Sequence, residues 1–222
     1  MPGFLDLPVE GAYHLVHWLA SATEPVTGSF AAAVAIVLFT VAVRLLLVPF
    51  ARAAARGQRA RTALLPEIEK LRKKHGNDRD TLAAEMARLQ QESGTSLFVG
   101  CLPMVAQLPF FWVMYHLFSA AVIAGAPNAL LGSTLLGLSL GAHGLAAAPL
   151  VFVVAGLLAV VAWFSIRWQD RQRDFSAPGA RFLRLLPYGT VLVTAFVPLA
   201  ASVYVLTTTT WSVVERMVLH RG

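Results

Sequence analysis

Long apolar runs without charge dominate the chain. The first extends from about Thr27 to Phe50 and is broken only by Arg44; the second, from about Ser96 to Ile123, contains no charge. The third is Pro149 to Ile166, and the last, Leu185 to Val214, holds 30 uncharged residues. A hydrocarbon core of ~30 Å is crossed by ~20 apolar residues in a helix, so each of the first three windows predicts one span. The last window would be ~45 Å long as a single helix, too long for one crossing. Pro198 near its middle predicts a break into two. The expected fold is all-α: a polytopic membrane protein of five transmembrane helices with a cytosolic helical hairpin.

The expected order starts with an extracytoplasmic N-terminal segment (1–26), whose Leu15, Val16, Trp18 and Leu19 suit an interfacial helix. Spans follow at 27–50, 96–123, 149–166, 185–197 (short) and 198–217. Between them lie the hairpin (51–95), an extracytoplasmic loop (124–148) and a cytosolic loop (167–184), before a cytosolic tail (218–222). Orientation comes from charge. Ten basic residues fall between Arg52 and Arg88 and five between Arg167 and Arg184, while Met1 to Val43 and Ala124 to Ala148 have none. With five spans, Arg216 and Arg221 join the basic side, which the positive-inside rule makes cytosolic; four spans would strand them outside. The N-terminus is therefore expected outside and the C-terminus inside. Asp6, Glu10 and Glu24, with no basic start, speak against a cleavable signal peptide.

Composition agrees. Of 222 residues, 57% are hydrophobic and only 14% charged, too few to cover a water-facing surface. A soluble enzyme or nucleic-acid module is excluded, and the net charge of +6 reflects membrane orientation rather than nucleic-acid binding. One cysteine, Cys101, excludes an internal disulfide or a Cys-based zinc site.

The segment 51–95 is the charged exception. Leu64, Ile68 and Leu71 recur with helical spacing, as do Leu82, Met86 and Leu89. His75-Gly76-Asn77-Asp78 reads as a helix stop, a turn and a new N-cap. Pro66, followed by Glu67 and Glu69, predicts a helix start. A helical hairpin with one narrow apolar seam results; a solvated helical loop without a role is the plainer alternative.

Arg44 is the most informative residue, because an arginine near a span centre costs ~2.5–3.5 kcal/mol on the insertion scale. Snorkelling to the cytosolic interface is one explanation. Arg52 and Arg56 already anchor that end, however, and Thr40 lies one turn earlier on the same face. A water-filled cavity open to the cytosol fits better. Gln107 sits between the helix-kinking Pro103 and Pro109. Tyr204, Thr208, Trp211 and Glu215 recur at i, i+4, i+7 and i+11, one face of a helix. The hydroxyls of Thr207 to Thr210 also suit back-bonding or helix–helix contacts, and Trp211 with Glu215 suits an interfacial belt. No nucleotide-binding, serine-hydrolase or zinc-protease signature occurs, and His14 and His17 alone make no metal site. Neither an enzyme, a cofactor nor a metal is expected.

These residues resemble the YidC/Oxa/Alb superfamily of membrane protein insertases. The likeness runs from about Ser29 to Met217: Thr40 to Pro49 around Arg44; Leu65 to Leu71 with Glu85-Met86; Gly100 to Pro103 with Gln107 to Phe110; Leu135 to Leu140; and Tyr204 to Trp211. It implies a short bacterial form, without a large outer domain between the first two spans, in the cytoplasmic membrane. It implies five spans around a hydrophilic groove open to cytosol and lipid, lined by Arg44, Gln107, Thr208, Thr209 and Trp211. Polar tails of nascent membrane proteins would enter that groove while their apolar segments slide into the bilayer, without ATP. Implied partners are those clients and the lipid bilayer, with the ribosome and the Sec translocon open as further ones; the working unit would be a monomer. Ala200, Val205, Thr209 and Glu215 stand where the family often has Gly, Trp, Asn and Gln. The candidate groove set is thus Arg44, Thr40, Gln107, Tyr204, Thr208, Thr209 and Trp211, and the hairpin set Pro66, Glu67, Ile68, Leu71, Leu82 and Met86. The alternative function is a small solute transporter or channel that binds an anion at Arg44. It is disfavoured by the lack of an internal repeat and by the charged hairpin.

Overall fold

A computed structural model describes residues 6–76, 78–93, 112–123, 125–170 and 180–221. Gln107, Cys101, Pro103, Pro109 and Asn77, most of the expected second span and the middle of the 167–184 loop lie outside the described residues. The described chain is mostly helical: α1 (Asp6–Thr27), α2 (Ala31–His75), α3 (Arg79–Ser93), α4 (112–119), α5 (Ala129–Gly132), α6 (Ala148–Asp170), α7 (Ala180–Val193) and α8 (Leu199–Arg221). Among the described residues, two helical stretches, Leu7–Leu64 and Ala148–Asp170, are long and apolar enough to cross a membrane. The chain divides into two units, Leu46–Phe110 and the remainder.

The larger unit has one apolar core. Val16 from α1, Ala35, Ile36 and Phe39 from α2, Leu117 and Phe118 from α4, Leu158 from α6 and Leu199 from α8 are all buried in it. The physics is clearest in α6. Val151, Val154, Leu158, Ala162, Ser165 and Ile166 face inward at helical spacing, yet the opposite face carries Phe152, Val153, Leu157, Val160, Trp163 and Phe164. Phe152 is 72% exposed and Leu158 0%. A helix apolar on both faces suits hydrocarbon on the outside, whereas in water such a surface would drive association. α7 and α8 pack against α6. A break does fall at Pro198: α7 ends at Val193 and α8 begins directly after the proline. At 14 residues α7 is only ~21 Å long, below the ~30 Å of a bilayer core.

The all-α expectation omits structure in the segment 120–147, which holds two antiparallel hairpins of two-residue strands. β1 (Val122–Ile123) pairs with β2 (Ala126–Pro127), and β3 (Thr134–Leu135) with β4 (Leu138–Ser139). Leu136 (φ 52) and Gly137 (φ 82) form the two-residue turn of the second hairpin. Both central residues there need positive φ, which glycine adopts freely and leucine rarely does. Two-residue strands give no periodicity, which is why the pattern could not reveal them. Asn128 organises this segment. It is 5% exposed; its Nδ2 donates to Leu117 O (2.9 Å) and Ala120 O (3.0 Å), and its Oδ1 accepts from Leu130 N (3.1 Å). It thereby closes the end of α4 and caps α5 in one stroke. The segment also serves α8, whose first N–H groups have no helical partner. Leu199 N–H donates to Ala142 O (3.1 Å) and Ala200 N–H to Leu140 O (2.9 Å).

In the smaller unit, α2 corrects one expectation. No helix starts at Pro66; α2 runs unbroken through both Pro49 and Pro66 to His75. Proline in a helix interior loses one backbone bond and meets the carbonyl four residues back. Good helix formers on both sides carry the helix through. The stop falls at the expected His75–Asp78 turn. A Cβ on Gly76 would lie 2.6 Å from Arg72 O, so only glycine allows that close approach. Asp78 then caps α3: Oδ1 accepts from Thr81 N (3.1 Å) and Oδ2 from Thr81 Oγ1 (2.6 Å). Leu64, Ile68 and Leu71 on α2, and Leu82, Met86 and Leu89 on α3, are half-buried; Pro66 and Glu67 are exposed. No described residue of this unit is fully buried. Its ion pairs, Lys70–Glu67 (3.9 Å), Arg88–Glu85 (3.7 Å) and Arg88–Glu92 (2.9 Å), are solvent-facing and add little.

Two outcomes are expected. Asn128→Ala leaves buried carbonyls and an N–H unpaired, so it should destabilise the protein by roughly 2–3 kcal/mol, read from a denaturation midpoint in detergent. The Thr81 hydrogen bonds hold the Asp78 carboxyl below its ordinary value of 3.8. A depressed carboxyl contributes stability above its unfolded value and loses it as pH falls through the folded one. The first turn of α3 should therefore stay ordered at neutral pH and fray only below about pH 3.8. Carbonyl and amide shifts of Asp78 and Thr81 would report this, and Asp78→Ala should show the frayed shifts at every pH.

Candidate functional site

Arg44 and Thr208 meet within the larger unit. The Arg44 Nε donates to Thr208 Oγ1 at 3.0 Å, and its Nη2 donates to the same oxygen. α2 delivers the arginine and α8 the threonine. Thr208 is held in turn: its carbonyl accepts from Ser212 Oγ (2.8 Å), one turn on. Among the described residues no carboxylate pairs with Arg44. A neutral hydroxyl accepts hydrogen bonds without cancelling the charge of the guanidinium. Arg44 and Thr208 are both half-buried.

Burial changes at this contact. Before it, α2 buries Ala31, Ala32, Ala35, Ile36, Phe39 and Thr40, and α8 buries Leu199, Ala200, Ala201 and Ser202. From Val41 to Leu45 and from Val203 to Leu219, no described residue is fully buried. Both helices thus bury side chains on one side of the contact, and on the other, where the charged and hydroxyl side chains stand, the described residues are half-buried or exposed.

The other candidates fall into three groups. Tyr204 belongs with the contact: its ring packs on Phe118 (centroids 5.7 Å apart), and its hydroxyl lies within electrostatic range of Arg44 and beside Thr208. Trp211 shares that face of α8, and its Nε1 donates to Glu215 Oε1 at 3.4 Å. Thr209 is half-buried but turned ~100° round the helix from Thr208. Thr40 is 3% exposed, and its hydroxyl donates to Ile36 O at 2.7 Å. That hydroxyl is satisfied inside its own helix and offers no polar surface here. Gln107 lies outside the described residues. Sequence reasoning did not find Phe118 or Ser212. Phe118 has no chemical signature, and Ser212 lies one turn beyond Thr208, a spacing that would have exposed it as part of the same hydroxyl ladder.

Elsewhere, a cavity of about 300 Å³ lies between the C-terminal end of α6 and α7, lined by Trp163, Ile166, Arg167, Asp170, Leu185 and Tyr188. The Arg167 guanidinium sits 4.7 Å above the Trp163 ring there. Among the described residues no cluster of His, Cys, Asp or Glu could hold a metal.

Residues 23–222 match the family described as 60Kd inner membrane protein. Among curated relatives, the membrane protein insertase YidC of Mycolicibacterium paratuberculosis is 38% identical over 114 residues, covering 51% of this chain and 32% of that protein. The one from Mycobacterium tuberculosis is 43% identical over 88 residues (39% and 24%), and that of Streptomyces avermitilis 31% identical over 113 (51% and 26%). The matched stretches thus span a third or less of these relatives' lengths. With nearly its whole length matched, the chain belongs to the 60Kd inner membrane protein family.

Proposed function

We propose that this protein is a membrane protein insertase of the bacterial cytoplasmic membrane, handling nascent membrane proteins. Arg44 carries the proposal: a cation inside an apolar helix, bonded to a neutral hydroxyl and paired with no carboxylate among the described residues, at the level where the described side chains of α2 and α8 cease to be fully buried. An isolated guanidinium at that depth is expensive unless water reaches it. In this reading the less buried end is a hydrophilic groove open to the cytosol. Tyr204, Thr208, Thr209 and Trp211 line it, and Thr40 marks its packed floor.

A client's acidic tail enters and pairs with Arg44. At ~4 Å and an effective dielectric of ~20 such a pair is worth up to ~4 kcal/mol, less where water intrudes, enough to capture and weak enough to release. Meanwhile the client's apolar segment passes into lipid along the exposed apolar face of α6, and its burial drives the step without ATP. The topology that serves this has five spans, the N-terminus outside, and the α2–α3 hairpin in the cytosol. There the half-buried seam of Ile68, Leu71, Leu82 and Met86 meets arriving clients. The protein acts as a monomer, alone or beside ribosome and Sec translocon.

Arg44→Ala should lower insertion of a client with an acidic N-terminal tail by about tenfold or more, Arg44→Glu further, while Arg44→Lys retains part of it. Protease protection in proteoliposomes measures this; unchanged insertion by both Ala and Glu variants defeats the electrostatic step, and Arg44-dependent solute uptake would favour a transporter. Topology has its own test. In a Cys101→Ser background, Glu10→Cys and His143→Cys should label from outside the cell, and Arg88→Cys only after the membrane is opened. Labelling of Arg88→Cys from outside would overturn the orientation.

A further inference from the structure

Glu215 is a second charge that the proposed mechanism leaves unused. It lies on the Arg44-facing side of α8, seven residues beyond Thr208, which is ~10.5 Å along the helix. It is half-buried, and its Oε1 accepts from the neutral Trp211 Nε1 at 3.4 Å. Among the described residues it pairs with no cation; the adjacent Arg216 is exposed and ~100° round the helix. An indole N–H orients a carboxylate without neutralising it. One face of α8 therefore presents a cation, held at Thr208, and an anion, held by Trp211.

We propose that Arg44 and Glu215 together select the charge pattern of the client tail, an inference that rests on the insertase reading. An extended chain advances ~3.3–3.6 Å per residue, so ~10.5 Å corresponds to three residues. The favoured tail, led by its N-terminus, carries an acidic residue opposite Arg44 and a basic residue three positions later opposite Glu215. A tail with acids at both positions is attracted at one point and repelled at the other. Trp211 is a positioning residue: it fixes where the carboxylate stands. Were Glu215 only an interfacial anchor, its loss would affect all clients alike rather than change their ranking.

The test uses the full chain in proteoliposomes and clients identical except for the tail: Asp then Lys three residues on, Asp then Asp, and Lys then Asp. The quantity read is the ratio of protease-protected acid–base client to acid–acid client. Wild type should favour acid–base by about fivefold and handle the reversed order poorly. Glu215→Gln should bring the ratio near one, Glu215→Lys should invert it, and Trp211→Phe should reduce it. Glu10→Gln, which removes the same charge from α1, should leave the wild-type ratio. Inversion is a gain for one client, so misfolding cannot imitate it. A ratio unmoved by both Glu215 variants, or an equal loss for every client, overturns the selector. If Arg44→Ala still weakens acidic tails in that case, the insertase reading survives; if Arg44→Ala has no effect, that reading fails with it.

Discussion

A guanidinium placed in an apolar helix needs hydrogen-bond acceptors or water, and the contact between Arg44 and Thr208 is the described acceptor. It joins α2 to α8 across 164 residues of chain. The choice of acceptor matters chemically. A carboxylate would neutralise the arginine and fill its donors; a hydroxyl positions it and leaves its charge available. The same residues that would be a liability in a closely packed core stand where the described side chains of both helices are no longer fully buried.

Other hydroxyls in or beside the apolar helices are treated differently. Thr40, Thr194, Ser202 and Thr207 each donate to a carbonyl of their own chain three or four residues back. In a low-dielectric setting this back-bonding removes the cost of a bare O–H. It also separates polar residues that are merely tolerated from the few whose polar atoms face another helix. Arg44, Thr208 and, through its hydroxyl's neighbours, Tyr204 belong to the second kind.

Support for this arrangement comes from the connecting segment 120–147. Asn128 closes the end of α4, and the carbonyls of Leu140 and Ala142 receive the first N–H groups of α8. The position of Thr208 along α8 thus depends on a loop with no chemistry of its own. α8 cannot slide along its axis without orphaning buried donors, each of which would cost about as much as a lost hydrogen bond.

Much was legible beforehand. The first, third and last charge-free windows fall on helices, the arginine stood out against the first of them, and His75–Asp78 announced a helix end because glycine and aspartate have local reasons to be there. Family likeness was carried by short motifs in order. Local signals failed where local rules were overruled or absent: Pro66 sits inside a continuous helix, and the two small hairpins are too short for any period. What the sequence by itself determined was which segments are apolar, where charge is costly and where turns fall, since those follow from each residue's own solvation and backbone preferences. What only the tertiary structure decided was which polar atoms meet. Thr40 turns to its own backbone and Thr208 to Arg44, although both are threonines on helical faces with similar surroundings in the chain. The difference is made by the neighbouring helix, and no residue carries that information alone.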